Sequence, residues 1–306
     1  MIVRLILILC SAVMFASCAH ISPLTHRQRV AHNITSAFVR VHTSVTYEIK
    51  RCNPEQLTQC REIGLGITGP SGIGSGGIIA HTDSSSIVLT AAHVVERFGQ
   101  TPSSNPSVIQ GVIRAYAGIT GTPLAIARIE FQEGILIAEG IETIIFVAAS
   151  DGNDYQIESI NCHDVHDVCL ITTAERINNT PLLTMSSNPP VIGDKVQCAQ
   201  GPFGYAIPGI MVPLFEGIFS GSTPQVMGAL AKDYYTFSVA PGSSGSLIVN
   251  RNGEIWGVVT MFMSGPFCAE GVGCHAMSSG ITVSVPFTDI QQFVTQFLLA
   301  IDREES

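Results

Sequence analysis

Three separate segments of the chain carry a histidine, a carboxylate and a serine, which together can activate a hydroxyl nucleophile. His93 follows two alanines after an apolar run, Asp167 directly precedes another apolar run, and Ser244 lies in a glycine-rich turn. A serine hydroxyl is a weak nucleophile at neutral pH and needs an adjacent base, which an imidazole supplies when a carboxylate fixes its tautomer. The sequence therefore predicts nucleophilic catalysis by Ser244, with His93 as the base and Asp167 as the group that orients it.

The surroundings of these residues support the same chemistry. Glycines on both sides of Ser244 allow backbone N–H groups to turn inward and stabilise an oxyanion. A second acidic residue, Asp164, lies three positions before Asp167 and is the alternative carboxylate. Asp167 is favoured because it immediately precedes the apolar strand, where an orienting carboxylate is expected.

The segment around Asp167 also has the composition of a metal site, with two cysteines, two histidines and two aspartates in residues 162–169. A zinc site needs ligands that converge, whereas alternate residues of a strand face opposite sides. The spacing matches no closed zinc pattern, so no metal is predicted. A disulfide or a small buried Cys169 is the preferred interpretation.

The composition restricts the class of protein. Charged residues make up 13% of the 306 residues, about half the usual ~25%, while 46% are hydrophobic and the mean hydropathy is +0.36. Such a chain is too apolar for disorder. Its longest uncharged apolar run, residues 5–15, is shorter than the ~20 residues of a membrane span. The net charge of −9 and only three lysines argue against a nucleic-acid partner.

The N-terminus predicts export. Residues 1–18 combine one arginine, an apolar stretch and small residues before Cys18, the order of a signal peptide. The segment 15–18 resembles a bacterial lipobox, although Phe15 replaces the usual leucine. The protein is therefore expected to be a periplasmic or membrane-anchored lipoprotein, with Cys18 as its only membrane attachment, or alternatively an ordinary secreted protein.

Short apolar runs separated by Gly, Pro, Ser and Asn predict an all-β sandwich or pair of barrels. Twelve strands are expected, at 76–80, 87–89, 108–116, 126–131, 144–148, 168–172, 195–199, 216–219, 234–239, 247–250, 255–261 and 281–285. After Pro286, apolar residues recur at three- and four-residue steps and predict a C-terminal amphipathic helix.

The cysteines fit an oxidising compartment. Removal of the signal leaves seven, so at least one is unpaired within the chain. Cys52 with Cys60, and Cys268 with Cys274, are each close enough in sequence to staple a loop. The sequence does not fix the other pairings.

The motifs resemble those of trypsin-like serine peptidases of the chymotrypsin fold, and most of all the HtrA-type branch. The residues Thr90-Ala91-Ala92-His93 are similar to the base motif of this family, and the segment 242–246 to its nucleophile motif. Further similar stretches follow in the correct order at 193–204, 217–220 and 280–286. The chain departs from the family at Ser246, where glycine is commonest, and ends about 20 residues after Pro286, which leaves no room for the PDZ domain of HtrA proteins.

The resemblance implies two six-stranded antiparallel β-barrels with the active site between them. After the signal peptide, residues 19–40 would form a lead or tether. Residues 41–185 would form the first barrel, with His93 and Asp167, and residues 186–306 the second, with Ser244 and the helix. The N–H groups of Gly242 and Ser244 would form the oxyanion hole.

The same layout implies which residues line the pocket for the side chain before the scissile bond. They are Ser238, Val239, Ala240, Thr260, Met261 and Phe262. Because Ser238, rather than an aspartate, lies six residues before Ser244, cleavage after Lys or Arg is not expected. The apolar lining favours small or medium aliphatic side chains.

The sequence thus predicts an exported serine endopeptidase that acts on protein or peptide substrates through an acyl-enzyme and needs no cofactor. Two alternatives remain open. One is a peptidase fold without activity that serves as a binding module, and the other is a latent peptidase that a partner or processing activates.

Overall fold

Two closed antiparallel barrels of six strands each make up most of the protein. The computed structural model describes residues 24–96, 106–204, 206–225, 229–269 and 273–304. This architecture, together with a C-terminal helix, confirms the predicted chymotrypsin-like all-β fold. Closure pairs every strand on both sides, so neither barrel exposes a strand edge.

The first barrel is formed by strands β1 to β6, in the spatial order β1-β2-β3-β6-β5-β4. Their bounds are β1 Phe38–Asn53, β2 Gln56–His81, β3 Ser86–Thr90, β4 Leu136–Ala148, β5 Asp154–Cys162 and β6 Cys169–Thr173. The two longest strands, β1 and β2, extend as a hairpin that the Cys52–Cys60 disulfide joins near its tip, as predicted.

The second barrel is formed by β7 to β12, in the order β10-β11-β12-β9-β8-β7. The bounds are β7 Lys195–Ala199, β8 Leu214–Thr223, β9 Lys232–Tyr235, β10 Leu247–Val249, β11 Ile255–Ala269 and β12 Gly273–Ser284. The backbone register places Cys268 opposite Cys274. The side chains of this predicted pair lie outside the described residues.

Five helices are present in the described part of the chain, none of them long and apolar enough to cross a membrane. They are α1 His26–Ala37, α2 Ala92–Glu96, α3 Pro106–Thr120, α4 Leu124–Gln132 and α5 Phe287–Glu304, with one 3₁₀ turn at Pro202–Gly204. Helix α1 begins with a capping box between Thr25 and Gln28. Helix α5 confirms the predicted C-terminal helix.

Two of the predicted strands were wrong. Residues 108–116 lie in α3 and residues 126–131 in α4. Their β-branched residues favour strands, but Ile109, Val112, Ile113 and Tyr116 follow helical spacing and pack against the β1–β2 hairpin. The strands that complete the first barrel instead are β1 and β5, neither of which was predicted.

Helix α5 is held on the barrels by apolar burial and by one carboxylate. Ile290 and Val294 are buried in the core that also contains first-barrel side chains. The Asp233 carboxylate is 3% exposed and accepts hydrogen bonds from the Phe287 backbone N–H, at 2.9 Å, and from the Ser222 hydroxyl. Burial raises the pKa of this carboxyl.

Replacing Asp233 with alanine is expected to lower the free energy of unfolding by about 1–3 kcal/mol, because two donors lose their acceptor at the start of α5. Asp233→Asn keeps one acceptor oxygen and is expected to lose less than half as much. Urea denaturation of the two variants measures the difference. Equal losses would show that the cap contributes little.

Candidate active site

The predicted base, His93, follows a buried strand and lies in a single helical turn. All five residues of β3 are buried, and Ala91 and Ala92 lead from it into α2, which contains His93. The two small alanines leave space for the ring. Only these two alanines separate His93 from Thr90, the last residue of β3.

Asp167 lies in the loop between β5 and β6 and contacts His93 at two points. Its Oδ1 accepts a hydrogen bond from the His93 backbone N–H at 2.8 Å, and its Oδ2 lies 2.7 Å from the ring Nδ1. An ionised carboxylate can only accept, so Nδ1 carries the proton and Nε2 is left with a free lone pair. Both the position and the tautomer of the ring are therefore set by one carboxylate.

Asp167 stays ionised despite its burial. Burial alone would raise the pKa of this carboxyl, but the hydrogen bonds and charge of His93, with the charge of Lys232, bring the pKa below its ordinary value. The alternative carboxylate, Asp164, is exposed and makes no hydrogen bond through its side chain in the described part of the chain.

Ser244 follows a tight turn between β9 and β10. The Ser243 N–H donates to the Ala240 carbonyl at 3.0 Å, which closes a turn with Pro241 and Gly242 at its centre. Gly242 has a φ of +95°, as the third residue of a type II turn requires. This conformation fixes the orientation of the peptide that joins Pro241 to Gly242.

The backbone N–H groups of Gly242 and Ser244 differ from their neighbours, which all donate hydrogen bonds. Ser243, Gly245 and Ser246 each donate to a backbone carbonyl, at 3.0, 2.7 and 3.0 Å. The N–H groups of Gly242 and Ser244 have no acceptor among the residues that the structure describes. Alternate N–H groups left unpaired around a nucleophile can bind a negatively charged oxygen.

Ser75, on β2 of the first barrel, holds this turn against β3, the strand that precedes His93. Its N–H donates to the Ser244 carbonyl and its hydroxyl to the Gly242 carbonyl, both at 2.7 Å. Its own carbonyl accepts from the Thr90 hydroxyl at 2.7 Å. The turn with Ser244 is therefore joined through Ser75 to the residue three positions before His93.

The Ser244 hydroxyl itself makes no hydrogen bond to His93 or Asp167 in the described part of the protein. Its side chain is partly exposed, next to the turn that Ser75 anchors. In unliganded enzymes the contact between nucleophile and base is often long and tightens only when substrate binds.

The predicted pocket residues differ in burial. Ser238 is exposed, Val239 is buried, and Ala240 and Phe262 are half-buried. Thr260 is buried and its hydroxyl donates to the Val283 carbonyl at 3.2 Å. Met261, which follows Thr260 in the chain, is exposed.

Of the cysteines that flank Asp167 and line the second barrel, two form a disulfide and one is free. Cys162 and Cys169 form a disulfide at the base of the loop with Asp167, so neither is a thiolate that could bind zinc. Cys198 is a free, fully buried cysteine, and burial raises the pKa of its thiol.

Sequence reasoning missed the role of Ser75. Ser75 and Thr90 are both fully buried, which is unusual for hydroxyl side chains unless they are hydrogen-bonded. Their position beside glycines and within an apolar strand was the available signal.

A family model described as the trypsin-like peptidase domain matches residues 74–258, which is more than half of the chain. The protein therefore belongs to the trypsin-like peptidase family, and this membership indicates serine peptidase chemistry. No curated protein matches the chain.

The contact between the nucleophile turn and the first barrel leaves no room for a side chain at Gly245. A Cβ there would lie 2.0 Å from the Ser75 carbonyl oxygen and 2.3 Å from the Thr90 hydroxyl, at a φ of +87°. Gly245→Ala is expected to lower the free energy of unfolding by about 2–5 kcal/mol through strain and overpacking.

The control is Gly152→Ala, where φ is +83° but no atom lies within 4 Å of the new Cβ. This variant has the backbone strain alone, about 1–2 kcal/mol. Thermal and urea denaturation compare the two. Similar losses would mean that the close contact at Gly245 is not a constraint.

Proposed function

We propose that the protein is an exported serine endopeptidase in which Ser244, His93 and Asp167 form the catalytic triad. The observation that carries this proposal is the two-point contact of Asp167 with His93, next to a turn with two unpaired N–H groups. Family membership supports the reaction class, and the geometry supports the roles of the residues.

In the proposed reaction, the free lone pair on His93 Nε2 accepts the Ser244 proton as the hydroxyl oxygen attacks the substrate carbonyl. Asp167 stabilises the imidazolium that forms, without taking up a proton itself. The imidazolium then protonates the leaving amine, and the acyl group stays on Ser244 until water, activated by the same histidine, hydrolyses the ester. These steps need no cofactor or metal.

The negative charge that develops on the carbonyl oxygen would be stabilised by the N–H groups of Gly242 and Ser244. Because both are held unpaired by the turn, they are available without rearrangement when the charge forms. Removing one such donor typically costs about 10²–10³-fold in kcat.

Export is supported by the N-terminal segment and by the chemistry of the cysteines. The two disulfides are typical of an oxidising compartment. Residues 1–18 would be the signal, with lipidation of Cys18 as one outcome and secretion as the other. The sequence motifs are similar to those of the HtrA-type branch, and residues 41–185 and 186–306 would hold the two barrels.

The nucleophile is tested by a pair of adjacent serines. Ser244→Ala is expected to lower casein hydrolysis by at least about 10³-fold and to abolish labelling by a fluorophosphonate probe. Ser243→Ala is the matched control, because the Ser243 hydroxyl is buried without a hydrogen-bond partner among the described residues and its removal should be nearly neutral.

Labelling should also require His93, so His93→Ala should remain unlabelled. If wild type and Ser244→Ala showed the same residual hydrolysis, the enzyme would be rejected in favour of a binding module. Activity that appeared only after a partner or a proteolytic cut would identify the latent form, with which the lack of a hydrogen bond between Ser244 and His93 among the described residues is compatible.

The pocket supports a preference for small or medium aliphatic side chains before the scissile bond. Val239 is buried, and the Thr260 hydroxyl is engaged by Val283, so few free polar groups remain. A peptide-library cleavage profile should therefore be dominated by such residues, and a profile dominated by Arg, Lys or Glu would contradict it.

Ser238→Asp should introduce cleavage after Lys and Arg, because it adds a carboxylate at the exposed position.

A further inference from the structure

The loop that carries Asp167 is unusually well fixed for an irregular segment. The Cys162–Cys169 disulfide closes its base, where the two residues are also paired across β5 and β6. The His163 N–H donates to the Val168 carbonyl at 3.0 Å, just inside the disulfide. The Val168 N–H also donates to the His166 carbonyl at 2.8 Å, so these contacts fix the ends of the loop, and none of them reaches residues 164 and 165.

The His163 ring orders the middle of the loop. Its Nδ1 accepts hydrogen bonds from the backbone N–H groups of Val165, at 3.1 Å, and His166, at 3.2 Å. Asparagine and aspartate side chains stabilise turns in the same way, by accepting from N–H groups two or three residues on. The second of these donors belongs to the residue directly before Asp167.

The ring is itself held in place by helix α5. Its edge packs against Phe293 with 5.4 Å between ring centroids, and against His166 at 4.8 Å. His166 Nε2 lies 3.3 Å from the Asp289 carboxylate in the first turn of α5. The loop from the first barrel is thus docked on the helix that follows the second.

We propose that His163 is a positioning residue for Asp167. By accepting from two backbone N–H groups, it sets the path of the chain into Asp167 and thereby the placement of the carboxylate against His93. This inference rests on the proposed function, in which Asp167 orients the base. His163 is not a catalytic residue, because its contacts are with the loop and with α5.

The geometry explains why such support matters. Asp167 meets His93 at 2.8 and 2.7 Å through both carboxylate oxygens. A displacement of the backbone before Asp167 cannot preserve both bonds, and a misplacement of about 1 Å can cost about 10²-fold in rate.

Two substitutions separate the acceptor from the packing of the ring. His163→Leu keeps an apolar side chain against Phe293 but removes the acceptor, and should lower kcat/KM about 10–100-fold. His163→Asn loses the ring but keeps an oxygen acceptor, and should stay within about threefold of wild type. Asp164→Ala, in the same loop but exposed, is the control and should leave activity unchanged.

Rates are expressed per active site titrated with a fluorophosphonate, so that partial unfolding does not count as lost activity. Equal kcat/KM for Leu and wild type, or an Asn variant as impaired as Leu, would overturn the proposal. If the Leu variant did not fold, the Asn variant would decide alone.

A second measurement does not need catalysis. The proton between His93 Nδ1 and Asp167 is expected to give a downfield ¹H NMR signal, because it lies in a short hydrogen bond of 2.7 Å. The signal should be retained in His163→Asn and in Asp164→Ala, and be lost or shifted upfield in His163→Leu. If wild type proved inactive, the proposed function would fail while this signal still tested the role of His163. An unchanged signal in folded His163→Leu would reject that role.

Discussion

One buried serine joins the two halves of the proposed triad. His93 and Asp167 belong to the first barrel and Ser244 to the second, so their relative placement depends on how the barrels meet. Ser75 makes three hydrogen bonds of 2.7 Å at this junction, two to the nucleophile turn and one to Thr90. Since Ser75 and Thr90 are fully buried, losing one of these bonds would leave a buried polar group unsatisfied, and the contact is therefore strongly specified.

This junction explains why the motif around Ser244 contains two glycines, Gly242 and Gly245. Gly242 provides the left-handed backbone that leaves its N–H unpaired, and Gly245 lets the turn approach Ser75 to a distance that no side chain permits. The same close approach continues at Gly77, where an added Cβ would lie 2.5 Å from Leu247 of the second barrel. The glycines of the turn and of β2 are thus the steric condition for the close contact that brings the proposed nucleophile toward the proposed base.

The sequence was most informative where a local pattern determines the structure. The turn at Gly242, the strand before His93 and the helix after Pro286 depend on residues close in sequence and were predicted from them. Strand β1 was missed although four of its buried apolar residues, Val39, Val41, Tyr47 and Ile49, all lie on odd-numbered positions, as one face of a strand should. Ser75 and His163 could not be found this way, because their roles come from partners far along the chain or from an acceptor geometry that residue type alone does not reveal.

Helices α3 and α4, which the sequence analysis took for strands, are packed separately from the candidate site. They contact Tyr47 and Ile49 of β1 and Leu136 of β4, and in the described part of the chain this cluster shares no residue with the core that contains β3 and α5. Because the two helices have their own core, their packing can change without moving Ser75 or Thr90. The loop with Asp167 is different, since it is bonded to His93 on one side and packed on α5 on the other. Changes in α5 should therefore reach the proposed triad, whereas changes in α3 and α4 should mainly affect the hairpin.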